Sequence, residues 1–111
     1  MITRQQKWAQ RAIEKVKEME GHDKKEEYMR FCKSFPAMIH NCGLCQSLAF
    51  AEAKTTGEHK YLQHLSDVME MADITQRSRE AGILEYQKLT RDALNAATWL
   101  KRYAEALLKG E

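Results

Sequence analysis

Ile83-Leu-Glu-Tyr-Gln-Lys-Leu-Thr-Arg-Asp-Ala-Leu-Asn-Ala-Ala-Thr-Trp-Leu-Lys-Arg-Tyr-Ala-Glu-Ala-Leu-Leu108 is the longest unbroken helical pattern in the chain. Its apolar residues Tyr86, Leu89, Ala93, Ala97, Leu100, Ala104 and Leu107 follow one another in steps of three and four. That spacing predicts one helix from about Ile83 to Leu108, with a seam close to that of a coiled coil. The alanines on the seam leave room for another helix to approach closely.

Upstream, Asp73 to Gly82 is polar and lacks a clear period, and reads as a mobile connection. From about Glu58 to Ala72, Tyr61, Leu62, Leu65, Val68, Met69 and Ala72 recur on one helical face. Thr55-Thr56-Gly57 reads as a loop. The segment from Pro36 to Lys54 predicts a helix burying Met38, Ile39, Cys42, Cys45, Leu48, Ala49 and Ala53. Asn41-Cys42-Gly43 could kink or split it, because glycine costs about 1 kcal/mol against alanine inside a helix. Pro36 should interrupt the preceding helix and begin this one, since its ring clashes with the turn before it.

Nearer the start, Asp23 with Glu26 forms a capping signature ahead of Tyr28, Met29, Phe31 and Cys32. Thr3 with Gln6 forms another, followed by Trp8, Ala9, Ala12, Ile13, Val16 and Met19. Gly21 then supplies a helix stop. There is no strand run and no internal repeat. The expected fold is all-α, a compact bundle of five to six helices with a long C-terminal helix, in one domain over residues 1–111.

Composition agrees with a small helical domain. The 111 residues are 43% apolar and 31% charged, with a single proline and five glycines to make turns. No apolar run approaches the roughly 20 residues of a membrane span. Met1-Ile-Thr-Arg-Gln-Gln-Lys-Trp8 carries no apolar stretch of signal-peptide length, so a cytoplasmic protein without membrane contact is expected. Three cysteines, an odd number, favour reduced thiols over a disulfide framework.

Reaction chemistry is hard to place. His40, Cys42 and Cys45 lie within six residues, but a structural zinc site normally takes four ligands. His22, Cys32, His59 and His64 add no familiar spacing, and Cys42 and Cys45 read better as small core residues. His40 and Cys42 are two apart, which on a helix points them to different faces. The glycines stand singly, so no phosphate-cradling loop is present. No catalytic residue, metal or cofactor is expected.

Charge offers more. The net charge is only +2, from 18 basic and 16 acidic side chains. Between Ile2 and Lys17, however, Arg4, Lys7, Arg11, Lys15 and Lys17 stand against Glu14 alone. Arg4, Lys7, Arg11 and Lys15 fall on one side of a helix. They make either a solvated face opposite the apolar stripe or an anion-binding face. Lys101 and Arg102, beside Trp99 and Tyr103, form a second cationic group, where Trp99 is expected mainly to pack.

Two segments resemble a known family. Asn41-x-Gly43-Leu44, then Leu48-Ala49-Phe50 and Lys54, is similar to the central helix of the small helical subunit of the Cmr complex. Tyr86, Thr90, Ala93-Leu94 and Trp99-Leu100-Lys101-Arg102 is similar to that family's terminal helix. The chain departs from the pattern in carrying Gln87 after the tyrosine.

The Cmr complex is the type III-B CRISPR effector, an RNA-targeting machine of antiviral defence. The resemblance implies a non-catalytic small subunit that stacks with neighbouring copies along the repeated backbone subunit. It would help hold guide RNA paired with target RNA. Carried over, the RNA-binding residues would be Lys7, Arg11, Lys15, Lys54, Lys101 and Arg102, contacting phosphates without reading sequence. So few cations should bind RNA weakly in an isolated copy and gain strength only in assembly. The competing reading is a helical protein-interaction module with no nucleic-acid contact, and a metal-dependent regulator built on His40, Cys42 and Cys45 ranks below both.

Overall fold

The first helix opens on two reciprocal hydrogen bonds. The Gln6 amide donates to the Thr3 hydroxyl at 3.1 Å, and the Thr3 amide donates to the Gln6 side-chain oxygen at 2.7 Å. Two of the otherwise unpaired first-turn donors are thereby satisfied, as the capping signature predicts. The computed structural model describes residues 1–54 and 60–108; the Thr55-Thr56-Gly57 loop, Glu58 and His59 lie outside them. Helix α1 (Arg4–Lys17) buries Trp8, Ala12 and Val16. A tight turn follows, with the Met19 amide donating to the Val16 carbonyl at 2.9 Å, and Gly21 takes a φ of +78°.

Helix α2 (Lys25–Cys42) differs from expectation at both ends. No side chain caps its start, and Asp23 lies outside it; His22 Nδ1 instead accepts from the Lys24 amide at 3.0 Å. Pro36 sits inside the helix and does not end it. Tyr28, Cys32, Phe35 and Ile39 line one buried face across the proline, and that packing outweighs the one backbone bond Pro36 cannot make. The break comes at Gly43, where φ is +86°. A side chain there would be strained by that backbone conformation.

The break re-phases the segment that follows. Helix α3 (Leu44–Lys54) buries Leu44, Ser47, Leu48 and Ala51. Ala49 and Ala53 face solvent, Cys42 is exposed and Cys45 is half-buried, all contrary to the continuous face expected from Pro36 onward. The Tyr86 hydroxyl accepts from the Cys45 amide at 2.9 Å and so satisfies a first-turn donor from another helix.

Helix α4 (Tyr61–Met69) ends at Glu70, whose φ is +54°. The polar stretch after it is not a mobile connection. Ile74 and Ser78, one turn apart, are buried and anchor a short helix, α5 (Ile74–Glu80). Helix α6 (Ile83–Leu107) matches its predicted extent and buries Leu89, Asp92, Ala93, Ala96, Ala97, Leu100 and Ala104.

Among the described residues these six helices are joined by no strand. Helix α6 is the axis: α1, α2 and α4 pack on it, while α3 packs on α2 and α5. The buried side chains make one cluster, which includes an aromatic centre. Phe35 meets Tyr61 edge-on with ring centroids 5.2 Å apart, and Tyr28 meets Tyr61 likewise at 5.9 Å.

Candidate nucleic-acid interface

The apolar stripe of α1 faces the core and leaves its basic stripe against the flank of α4 and the start of α6. Arg11 pairs with the Glu70 carboxylate and also donates to the Val68 carbonyl at 3.3 Å. That carbonyl belongs to the last turn of α4, where no intrahelical donor is available. Lys15 Nζ lies 3.3 Å from Asp67 and 3.6 Å from Glu18. Partial burial acts to lower the Lys15 pKa, but the two carboxylates outweigh it and the net shift is upward.

A second clasp holds α1 to α6. Asp92, buried, takes Arg4 at 2.9 Å and Lys88 at 3.3 Å. A buried carboxylate needs such partners, since alone it would stay protonated or destabilise the fold. The Arg4 guanidinium also covers the Trp8 ring at 4.3 Å. Arg4, Lys7, Arg11 and Lys88 line a groove of about 370 Å³ with Glu70 and Asp92 between them. Lys7 is the one of these four cations with no carboxylate partner among the described residues.

Gln5 reaches the other way along α6. Its side-chain oxygen accepts from Trp99 Nε1 at 2.7 Å. Asp92 and Trp99 are seven residues apart, roughly 10 Å along a helix. Arg4 and Gln5 therefore reach two points about two turns apart along one face of α6, with Lys7 near the Arg4 end and Arg102 near the Trp99 end. Trp99 is half-buried, stacks on Tyr103 at 5.9 Å and lies 5.8 Å from the Arg102 guanidinium. Lys54 stands elsewhere, at the end of α3, with its ammonium 5.7 Å from the Phe50 ring.

Behind the stripe lies a polar cluster. The Tyr28 hydroxyl is 2.7 Å from Nδ1 of the buried His64, and His64 Nε2 is 3.3 Å from Glu18 without hydrogen-bond alignment. Burial pushes the Tyr28, Cys32 and Tyr61 groups up, so all three stay protonated at neutral pH. Among the described residues, no group of three or more His, Cys, Asp and Glu is placed to hold a metal ion.

This helix order and the sequence both match known proteins. The family model for CRISPR-associated protein (Cas_Cmr5) matches residues 4–107. The chain belongs to the Cmr5 family. The CRISPR system Cmr subunit Cmr5 of Thermus thermophilus is 38% identical over 113 residues, covering 98% of this chain and 99% of that protein. The Cmr5 subunit of Thermotoga maritima is 36% identical over 110 residues, covering 93% of this chain and 83% of its own length. The crystal structure of a CRISPR-associated Cmr5 family protein, also from Thermus thermophilus, superposes with a TM-score of 0.91 at 39% identity. The superposition covers 98% of this chain and 100% of that one.

In this Cmr5-family chain the six cations expected from sequence do not form one face. Arg11 and Lys15 are tied to carboxylates of α4 and the turn after α1. Lys7, Lys101 and Arg102 have no carboxylate partner among the described residues. Lys88 and Arg30 are cations that sequence reasoning misses. The spacing of Lys88 and Asp92, four apart on a helix, could have shown the first pair. Nothing in the sequence shows that Arg30 shares a cleft with Phe50.

Proposed function

We propose that the chain is a non-catalytic small subunit of the type III-B CRISPR (Cmr) ribonucleoprotein effector, working in the cytoplasm. In this reading it docks on the backbone and other subunits of the complex, stacks with neighbouring copies of itself and helps hold the duplex of guide RNA and target RNA. The observation that carries the reading is the family match from Arg4 to Leu107, which takes in all the candidate cations. Lys7 and Arg102 are the phosphate contacts the geometry favours, with Lys101 beside them. Arg11 and Lys15 would contribute field, not direct contact, because each is already paired. Lys54 would act from a separate surface.

Phosphate contacts made by a few cations position a duplex without reading it. One copy should therefore bind RNA weakly and lose affinity steeply with salt, while several side by side add through effective concentration. The test is charge reversal, Lys7→Glu with Arg102→Glu, in the reconstituted complex. The reading expects target-RNA retention to fall while subunit assembly persists. Loss of assembly with RNA retention per complex unchanged would favour the alternative, a helical protein-interaction module with no nucleic-acid contact. That alternative draws support from Arg4, Arg11 and Lys15, whose charges are neutralised within the chain.

A further inference from the structure

Most aromatic side chains of α2, α3 and α4 are turned inward. Tyr28, Phe35 and Tyr61 are fully buried. Phe50 is the exception, 45% exposed on α3 although Leu48 and Ala51 beside it are buried. It is not loose: its ring centroid sits 6.1 Å from that of Phe31 on α2, tilted by 34°. Together they floor a cleft of about 410 Å³, within the range of small-ligand sites.

The rim of that cleft is polar and mainly cationic. Arg30 and Lys54 stand against Glu27, the single acid among the described lining residues, and the Ser34 hydroxyl donates back to the Arg30 carbonyl of its own helix. Lys54 already approaches the Phe50 ring, so its ammonium is positioned beside an aromatic plane. Arg30 also borders a second depression of about 220 Å³, lined by Lys25 and Lys33 among others. Arg30 and Lys33 are three apart and are neighbours on the helix surface. A cationic line thus leads away from an exposed, braced aromatic ring.

We propose that the α2–α3 cleft is a stacking site for an unpaired nucleobase of single-stranded RNA. The base lies against Phe50, its own phosphate meets Lys54 and Arg30, and the next phosphate meets Lys33. Aromatic stacking takes any base because every base has a π-face, and adjacent cations hold the backbone. A duplex, whose bases are already stacked on each other, cannot use the ring. The inference rests on the reading that this chain handles RNA, and assigns it a second surface with a different form of RNA.

The test uses the full chain and a short single-stranded RNA carrying 2-aminopurine, whose emission falls when the base stacks. At low ionic strength the protein should quench the probe, and Phe50→Leu, which keeps the apolar contact with Phe31, should weaken binding about tenfold. Phe50→Tyr should restore quenching, and Lys54→Glu should weaken binding. Phe50→Leu should leave binding of a fully base-paired probe unchanged, which separates this site from the duplex contact proposed above. Preserved folding in each variant is checked by thermal melting. No quench at saturating protein, an equal quench in Phe50→Leu, or binding of a fully base-paired probe weakened as much by Phe50→Leu as that of the single strand would each overturn the proposal. So would Phe50→Leu weakening capture of other Cmr subunits while leaving the quench intact, because the ring would then be a protein contact.

Discussion

The Tyr28 hydroxyl of α2 shares a hydrogen bond with Nδ1 of His64 on α4, 2.7 Å away and sealed from solvent. On the other side of the ring, His64 Nε2 faces Glu18 at 3.3 Å. Lys15, Glu18 and Asp67 are the charged groups that act on the ring, and Tyr28 faces it from α2. Burial lowers the His64 pKa and dominates, against the upward pull of Glu18 and Asp67.

Stability should therefore fall in mild acid. The unfolded histidine titrates near 6.5 and the folded one lower. Its contribution is complete above about pH 6.5 and is lost as pH drops through the folded value, because only the unfolded chain gains the proton easily. Melting temperature measured from about pH 7.5 to pH 5.5 should decline, and His64→Gln should flatten that decline. Glu18→Gln removes a group that favours the imidazolium, so the NMR-titrated pKa of His64 should drop further in that variant. A His64 midpoint at or above 6.5 would refute the assignment.

Arg11 is bound twice, to the Glu70 side chain and to the Val68 carbonyl. Glu70→Ala removes only an exposed ion-pair partner and should cost up to about 1 kcal/mol. Arg11→Ala also strands a last-turn carbonyl of α4 and should cost about 1–2 kcal/mol. Urea unfolding of the two single variants and the double variant should give a coupling of about 0.5 kcal/mol. A coupling as large as the whole Arg11→Ala loss would mean that the carbonyl contact contributes nothing.

The salt dependence of RNA binding should sort the cations by whether they are already paired. Lys7→Gln should reduce the slope of log affinity against log salt by about one for a duplex probe. Arg11→Gln and Lys15→Gln should barely change it, because Glu70 and Asp67 already hold those charges. Equal slope changes at all three positions would show that the ion pairs open on binding.

What was legible in the sequence was what repeats locally. The seam of α6, from Leu89 to Ala104, and the Thr3–Gln6 cap involve residues a few positions apart, and both stand as predicted. Pro36 and Gly43 set two local preferences against packing. The buried face through Phe35 and Ile39 carried the helix past the proline, while Gly43 ended it. Helix α5 has only Ile74 and Ser78 buried, too short a pattern to register as a period. The basic stripe was visible, but its partners were not, since Arg11 meets Val68 and Glu70 across 57 and 59 residues. Sequence spacing shows which charges share a face, and only the fold shows which of them are already satisfied.

The alanines of α6 make the last prediction. Ala93, Ala96, Ala97 and Ala104 are completely buried where α1, α2 and α4 close on α6. Larger side chains at these positions must push a helix away or take a strained rotamer, because interiors are packed to near-crystalline density. Ala97→Leu should lower stability by about 1–3 kcal/mol in urea unfolding. The same change at Ala106, on the exposed side of the same helix, should stay within about 0.5 kcal/mol. If displacing α1 is how the core accommodates the larger side chain, the Trp99–Gln5 bond should break too, and indole Nε1–H exchange should speed up. Unchanged stability with unchanged exchange would mean that the seam of α6 is looser than its four buried alanines require.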